Sequence, residues 1–289
     1  MSGIEVGVGP AGVPQVARAG HGPAFIEFIR RVEALGYRSI CFGDHLDTRC
    51  GPFSALATAA AVTSRLTVAV HVMSVALRNP AVVAQELRSI QVLSDGRVEI
   101  GLGLGWLHRD FADAGVAMTS FDERLDRLDT TVATIRESFR AGAVPTPTIV
   151  IGGGGPKMLA TAARLADIVT INIPLAAGGG LAGNTVASGT RELVVERLRI
   201  ARSSAHAAGR NVRLHLYVHE VHVGADWREV AEGRASTLGM TVDDYLDSPH
   251  VLVGDNARIA SVLEQRREEL GISYVSIPGT ALDAFAAVL

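Results

Sequence analysis

The sequence has only two cysteines among its 289 residues, Cys41 and Cys50, too few for a disulfide framework. It has no apolar run approaching the ~18–20 residues that span a bilayer. Its first residues lack the basic and apolar segments of a secretory signal. The 27 basic side chains nearly balance the 30 acidic ones, so no basic surface for nucleic acid is expected. These absences predict a cytoplasmic protein that binds neither membrane nor nucleic acid.

What the sequence does contain is an alternation of short valine- and isoleucine-rich runs with longer helical patterns. Eight runs predict parallel strands, the number that closes a barrel. We therefore predict an α/β fold, a (β/α)8 TIM barrel, formed by residues 1–289 as a single domain. A doubly wound sheet is disfavoured, because no strand–GxGxxG–helix unit is followed by an acidic residue ~20 positions later. The predicted strands are Ile4–Gly9, Ser39–Gly43, Thr67–Val72, Val98–Gly103, Thr148–Gly152, Asp167–Ile171, Leu214–Val223 and Tyr274–Ile277.

Apolar spacing and terminal residues predict several helices. A single apolar stripe occupies Phe121–Phe139, and a serine and an aspartate at its start can each cap it. A second helix opens with Pro80 at its first position, and a third spans Asp255–Leu270. The Gly- and Ala-rich stretch Leu175–Gly189 predicts a mobile loop after the sixth strand.

The active site of such a barrel forms where its strands end, and this rule first selects Asp44 and His45 after the second strand. A histidine there can exchange a proton near neutral pH, and the neighbouring acid can orient it. The pair could also merely cap the next helix. His71 lies in the third strand, where a core position is more common than a catalytic one. Arg78, further on, is a candidate substrate ligand or a surface ion pair.

Two glycine-rich segments end the fourth and fifth strands. The first, GLGLGW, closes with Trp106, whose indole offers a stacking face while the glycines let a planar ligand approach the backbone. The second runs directly into a helix that begins with Pro156 and Lys157, which predicts a phosphate site without Walker spacing. Asn172, after the sixth strand, can add a hydrogen bond. The glycines of this second segment are Gly152, Gly153, Gly154 and Gly155.

The histidines His215, His219 and His222, with Glu220, are the cluster that most suggests a metal. On one continuous strand, His215 and His219 share a face and His222 points to the opposite face. The spacing is not HExxH, and a strand is the wrong element for that motif. We therefore expect no metal site.

Together and in this order, the strand-end motifs resemble those of the bacterial-luciferase-like flavin and deazaflavin oxidoreductases. The similarity extends over nearly the whole chain, and its last segment is especially similar to an actinobacterial subgroup that uses coenzyme F420, a 5-deazaflavin. The matching phrases are ALGYRSICFGDHL, LRNPAVVAQELRSIQVLSDGRVEIGLGLGW, TIVIGGGGPKMLATAARLADIV and DSPHVLVGDNARIASVLEQRREELGISYV.

The resemblance implies a barrel that forms a homodimer and seats its cofactor where the strands end. It implies that His45 lies beside the reacting ring, that the cofactor phosphate lies on the Gly152–Gly155 loop, and that a cis peptide joins His71 to Val72. Coenzyme F420 is the implied cofactor. FMN is the alternative, because both carry a phosphate on a ribityl chain. The acidic tail of F420 would favour a nearby cation such as Lys157, the only lysine of the chain.

The chain also departs from a sugar-phosphate dehydrogenase subgroup of the family. Trp106 stands where that subgroup has a catalytic glutamate, and Arg49 stands where it has a tryptophan, which argues against a sugar-phosphate substrate. Relatives place a long covering segment before the fifth strand, whereas this chain passes from Phe139 to Thr148 almost directly. We therefore expect an open pocket for a peptide-like or natural-product substrate, with Arg49 and Arg78 as candidate ligands.

These inferences favour a reductase that transfers hydride from reduced F420 to a C=C or C=N bond, with His45 supplying or positioning a proton. Oxidation of an alcohol in the reverse direction would use the same residues. A reduced-FMN monooxygenase is the first alternative. A non-catalytic flavin- or deazaflavin-binding protein is the second.

Overall fold

Each of the eight predicted strand regions contributes a strand to a closed parallel barrel. Two further strands pair with each other in a separate sheet. The computed structural model describes residues 3–14, 16–47, 50–173 and 185–289. The strands are β1 (Glu5–Gly9), β2 (Ser39–Phe42), β3 (Thr67–Ser74), β4 (Val98–Gly103), β5 (Thr148–Gly153), β6 (Ile168–Ile171), β7 (Arg213–Tyr217), β8 (Glu220–Val223), β9 (Val251–Gly254) and β10 (Ile272–Pro278). The barrel closes in the order β1-β10-β7-β6-β5-β4-β3-β2, which confirms the predicted TIM barrel.

Helices alternate with these strands, as a (β/α)8 barrel requires. Three short 3-10 turns add to them at Val75–Leu77, Gly279–Ala281 and Ala286–Val288. The α-helices are α1 (Gly22–Ala34), α2 (Pro52–Val62), α3 (Pro80–Leu93), α4 (His108–Asp113), α5 (Phe121–Ala141), α6 (Pro156–Leu165), α7 (Thr185–Ser188), α8 (Arg191–Ala207), α9 (Trp227–Leu238), α10 (Val242–Asp247), α11 (Asn256–Leu270) and α12 (Leu282–Phe285).

Local sequence explains where the predicted helices begin and end. The Ser120 side chain accepts a hydrogen bond from the Glu123 amide, and the Glu123 carboxylate accepts one from the Ser120 amide, which forms a capping box before α5. Asp255 caps α11, and Gly271 ends it with a φ of 59°. The apolar stripe of α5 is buried from Leu125 to Phe139, as its spacing predicts.

The barrel interior is unusually polar for a fold whose strands are mostly apolar. Inside the barrel, buried hydroxyl, imidazole and carboxyl groups bond to one another instead of to water. Nδ1 of His71 is an exception, with no hydrogen-bond partner among the described residues. The members of this interior network that are fully buried are Ser39, Glu99, Thr170, His215 and Ser276.

The predicted strand Leu214–Val223 is wrong as one element. The barrel strand β7 ends at Tyr217, and β8 begins at Glu220 and pairs with β9 in a separate two-stranded sheet. The break follows from pairing, because the amides of His219 and Glu220 both donate to the carbonyl of His250 instead of to a barrel strand. The prediction that His215 and His219 share one strand face is therefore also wrong.

The outer sheet β8–β9 belongs to a small second apolar cluster beside the barrel. Tyr245 is its largest buried side chain, at 1% exposure, and Ala231 and Ala235 of α9 pack with it. This cluster places Glu220 and Arg234 at the edge of the barrel mouth. The single-domain prediction for residues 1–289 stays a prediction.

Among the residues described, no helix combines the length and apolar character needed to cross a bilayer. Within the same ranges, no three His, Cys, Asp or Glu side chains come together as a metal-binding group would require.

Candidate active site

A cavity of about 680 Å³ opens at the carboxyl ends of the barrel strands. Its wall includes residues that directly follow β2, β4, β6 and β7, which is where the active site of this fold forms. A volume in this range suits a small ligand or cofactor. Six side chains on this wall matter most for the chemistry below: His45, Val72, Trp106, Asp110, Asn172 and Tyr217.

His45 is oriented by an acid that the sequence did not indicate. Its Nδ1 lies 2.7 Å from Oδ2 of Asp110, a buried residue of α4. A carboxylate only accepts, so Nδ1 donates and Nε2 is left for a bound molecule. Asp110 also accepts from the Leu46 amide at 3.1 Å, which fixes its position. Trp106 meets the His45 ring edge-on, with centroids 5.9 Å apart and planes at 88°.

Asp44 does not orient His45, contrary to the expectation from their adjacency. Its carboxylate binds both terminal nitrogens of Arg78 at 2.5 Å and accepts from the Ser74 amide at 3.0 Å. Burial raises the pKa of Asp44, and the Arg78 charge opposes that shift only in part. This bidentate ion pair connects the segment that follows β2 to the segment that follows β3. Arg78 as a substrate ligand stays a prediction.

Gly101 and Gly103 at the end of β4 make room for Val72, a contact that the sequence reasoning missed. A Cβ on Gly101 would lie 3.1 Å from Val72 Cγ1, and one on Gly103 would lie 2.6 Å from Val72 Cγ2. Gly152 faces the same valine, at 3.4 Å from Cγ1. The nearest atom to an added Cβ is Val72 Cγ2 at Gly103, the Val70 carbonyl oxygen at Gly101 and Asn172 Nδ2 at Gly152. These glycines therefore accommodate other parts of the protein, whereas the sequence suggested direct approach of a planar ligand. The His71–Val72 peptide is cis, as the resemblance implied.

His71 forms a buried ion-pair contact beneath the cavity. Its Nε2 lies 2.9 Å from Oε1 of Glu99, and the two side chains are 0% and 1% exposed. Burial alone would lower the pKa of His71, but Cys41 and Glu99 together raise it to about 10. Glu99 also binds Arg38 at 3.1 Å, and the pKa of Glu99 is lowered because His71 and Arg38 outweigh its burial.

The predicted phosphate loop follows β5 and borders the cavity through Asn172. No side chain caps the start of α6 at Gly155, and a Cβ on Gly155 would meet no atom within 4 Å. Arg197 reaches the same loop from α8: it is 5% exposed, its Nη1 donates to the Asn172 carbonyl at 2.7 Å, and burial lowers its pKa. The loop thus combines open amides with a buried cation, as an anion site needs.

Two predicted site residues are not part of the cavity wall: Lys157 lies away from the cavity, and Arg49 is not among the described residues. Lys157 is exposed, and its Nζ binds Asp122 of α5 at 2.5 Å. Its role toward a cofactor tail stays a prediction. Arg49 lies outside the described residues, and so does most of the predicted loop Leu175–Gly189.

The three histidines of the candidate metal cluster lie in separate environments. His215 is inside the barrel between Thr170 and Ser276, and burial lowers its pKa well below the usual value. His219 lines the cavity mouth, and His222 bonds to Asp226 on the outer side. Their positions do not converge on one point.

The structure is thus that of a (β/α)8 barrel protein with a His–Asp pair on the wall of a cavity large enough for a cofactor. Residues 9–274 match the family described as luciferase-like monooxygenase, and the chain belongs to this family. The membership agrees with the expectation that the chain is an oxidoreductase.

Several relatives and solved structures are similar to this chain. An F420-dependent glucose-6-phosphate dehydrogenase from Amycolatopsis mediterranei is 30% identical over 171 residues, which cover 49% of this chain and 51% of the relative. The chain thus spans about half the length of the curated relatives it matches.

Two solved structures share the fold over 99% of the chain and 98% of their own. The F420-dependent tetrahydromethanopterin reductase from Methanopyrus kandleri superposes with a TM-score of 0.74 at 15% identity. The monooxygenase RslO1 from Streptomyces bottropensis superposes with a TM-score of 0.72 at 21% identity.

Proposed function

We propose that this protein is an F420-dependent reductase that transfers hydride to a C=C or C=N bond. The observation that carries the proposal is the His45–Asp110 pair on the wall of a cavity of about 680 Å³. Relatives named as F420-dependent glucose-6-phosphate dehydrogenases support the choice of cofactor.

The residues present fit a phosphorylated tricyclic cofactor. The cavity has the volume of a small-molecule site, and Ser74 Oγ on its wall is buried without a hydrogen-bond partner among the described residues. The Gly152–Gly155 loop and Arg197 would hold the phosphate, and Val72 and Trp106 would contact the ring. Bound F420 would supply the hydride.

The chain itself would supply position and a proton. His45 would present Nε2 to the substrate, because Asp110 holds its Nδ1. Donation from Nε2 requires the doubly protonated ring, because Asp110 already accepts the Nδ1 proton. In that form His45 can donate the proton that a reduced double bond requires or polarise the substrate beforehand. The cavity mouth also carries the Glu220–Arg234 ion pair, which offers polar contacts to a peptide-like or natural-product substrate. Arg78 and Arg49 stay candidates for the same role.

A reduced-FMN monooxygenase is the second candidate, because monooxygenases such as RslO1 share this fold. The phosphate loop suits FMN equally well. A non-catalytic binding protein is less favoured, since simple binding does not require a histidine that is oriented by a buried carboxylate on the cavity wall. A homodimer, which the family resemblance implies, and a cytoplasmic location, which the composition of the sequence suggests, are further proposals.

An activity comparison separates the candidates. Reduced F420 is supplied anaerobically with a panel of enones and imines, and formation of oxidised F420 is followed by absorbance. Reduced FMN is supplied in parallel with oxygen, and incorporation of oxygen into the panel compounds is measured by mass spectrometry. We expect turnover only with F420, and we expect His45→Ala to reduce it. Substrate oxygenation with FMN, together with no F420 turnover, would overturn the proposal.

A further inference from the structure

The mouth of the cavity carries a cation that the proposed hydride transfer does not use. Arg234 of α9 lies on the cavity wall, and it is the one arginine or lysine among the described residues of that wall. Two acids on the same wall, Asp44 and Asp110, bond to residues other than Arg234, and the third, Glu220, bonds to Arg234 itself. Arg234 is therefore the place where an acidic group in the cavity would meet a full positive charge.

The position of Arg234 is fixed by a buried support. Its helix packs on the outer apolar cluster through Ala231 and Ala235, which are 0% and 1% exposed. Nε and Nη2 of Arg234 donate to the Glu220 carboxylate at 3.0 and 2.5 Å, and the buried Tyr245 hydroxyl donates to the same carboxylate at 2.8 Å. The Arg234 side chain is 44% exposed and that of Glu220 is 21% exposed, so the guanidinium is the more accessible partner of the pair.

The guanidinium keeps an unused edge. It has five N–H groups, and the two bonds to Glu220 occupy one on Nε and one on Nη2. The other three, on Nη1 and Nη2, have no partner among the described residues. One from each nitrogen points along the end of the planar group, and this pair matches the two oxygens of a carboxylate.

The charge of Glu220 does not cancel the attraction at this edge. A carboxylate bound there would lie about 4 Å from the guanidinium carbon. Because the edges of the planar group are about 120° apart, the same carboxylate would lie about 7 Å from that of Glu220. At equal dielectric constant, the attraction to Arg234 thus exceeds the repulsion from Glu220 by about a factor of two.

We propose that the unused edge of Arg234 binds a carboxylate group at the mouth of the cavity. In the proposed reaction this group belongs to the substrate, which makes Arg234 a specificity-determining residue for acidic substrates. The inference rests on the proposed function, because it names the substrate class of the same cavity. The acidic tail of F420 carries the same chemistry, and the experiment separates the two sources.

The first test compares an unsaturated acid with its neutral amide. Cinnamate and cinnamamide are titrated by calorimetry into protein loaded with oxidised F420, a form that has no hydride to transfer. We expect cinnamate to bind about tenfold more tightly than cinnamamide in wild type, and we expect Arg234→Gln to remove this preference. Arg234→Lys keeps the charge without the planar edge and should recover only part of it.

Arg228→Gln is the matched control on the same helix. The Arg228 guanidinium carbon lies 4.3 Å from the Trp227 ring centroid, and Arg228 is not on the described cavity wall. This variant loses the same charge and should keep the preference for cinnamate. An equal loss of cinnamate affinity in Arg228→Gln and Arg234→Gln would show a general effect of net charge and would count against the inference.

The second test measures the affinities of F420 and FMN in wild type and in Arg234→Gln. FMN has no acidic tail, so a loss of about tenfold for F420 alone would assign the bound carboxylate to the cofactor. Unchanged affinities for both cofactors, together with a preference for cinnamate that Arg234→Gln removes, would assign it to the substrate. Either result supports a carboxylate site at Arg234.

The outcomes also separate this inference from the proposed function. If wild-type protein bound neither F420 nor FMN, the proposed function would fail, and the cinnamate titration without cofactor would still test the site. If F420 bound, wild type did not prefer cinnamate to cinnamamide, and Arg234→Gln left F420 affinity unchanged, only the inference would fail. Absence of cinnamate binding up to about 10 mM counts as no preference.

Discussion

Nδ1 of His45 lies 2.7 Å from Oδ2 of Asp110, although the two residues are 65 positions apart and follow different strands. The contact fixes the imidazole tautomer, since the carboxylate accepts and Nδ1 must donate. Asp110 is itself held by the Leu46 amide next to His45. The candidate proton donor is thus positioned by two segments of the barrel mouth, β2–α2 and β4–α4.

We expect Asp110→Asn to reduce F420-dependent turnover by about 100-fold while leaving F420 affinity nearly unchanged, because the amide no longer selects the Nδ1–H tautomer. Turnover is measured in the acceptor assay, and the His45 tautomer is measured by NMR. Asp113→Asn on the same helix is the control, since Asp113 is exposed and bonds only to Arg109 in the described residues. Equal turnover in wild type and Asp110→Asn would show that the pair has no role in proton transfer.

Gly103→Ala should lower the free energy of unfolding by about 1–3 kcal/mol, because the added methyl would meet Val72 Cγ2 at 2.6 Å. Gly233→Ala is the opposite case. Gly233 lies inside α9 with no atom within 4 Å of an added Cβ, so alanine should stabilise by up to about 1 kcal/mol. Urea denaturation of both variants and of the wild type measures these changes in the free energy of unfolding. A neutral Gly103→Ala would mean that β3 and β4 do not pack as described.

Arg197→Gln should weaken FMN binding by about tenfold and leave riboflavin binding within about twofold, because only FMN carries the phosphate that the buried guanidinium would contact. Lys157→Gln should have the smaller effect, since Lys157 is exposed and bonded to Asp122. The dissociation constants are measured by fluorescence quenching. A similar loss for both ligands in Arg197→Gln would place the role of Arg197 in folding instead of phosphate binding.

Acid should destabilise the protein partly through His250. Burial lowers the pKa of His250 to about 3, although its hydrogen bond to the Tyr217 carbonyl opposes the shift. The unfolded chain binds the proton more tightly than the folded protein does. The contribution of neutral His250 to the free energy of unfolding is therefore complete above about pH 6.5 and is lost as the pH falls toward 3. The free energy of unfolding should therefore fall less steeply with decreasing pH in His250→Gln than in the wild type. His206→Gln, at an exposed position, should keep the wild-type slope.

Local chemistry made much of the fold predictable. Strand regions were visible as apolar runs, and Ser120, Asp255 and Gly271 marked helix ends where the structure has them. The break between β7 and β8 was not visible, because neither glycine nor proline interrupts Leu214–Val223, which therefore reads as one continuous strand. The pairing of His219 and Glu220 with His250 depends on the distant strand β9, which sequence periodicity does not reveal.

The site was predictable in its strand-end positions but not in its pairings. Asp44 was the acid next to His45 in sequence, yet the acid that contacts His45 comes four residues after Trp106. Glu99 offered a signal that the sequence reasoning did not use, namely a charged residue inside a buried strand. Such a residue needs a buried partner, and here that partner is His71.

A side-by-side binding titration with oxidised F420 and FMN tests the central claim most directly. Purified protein is added to each cofactor, and the dissociation constants are obtained from the quenching of cofactor fluorescence. The account predicts that F420 binds at least about tenfold more tightly than FMN. Tight binding of FMN with no measurable binding of F420 would contradict it.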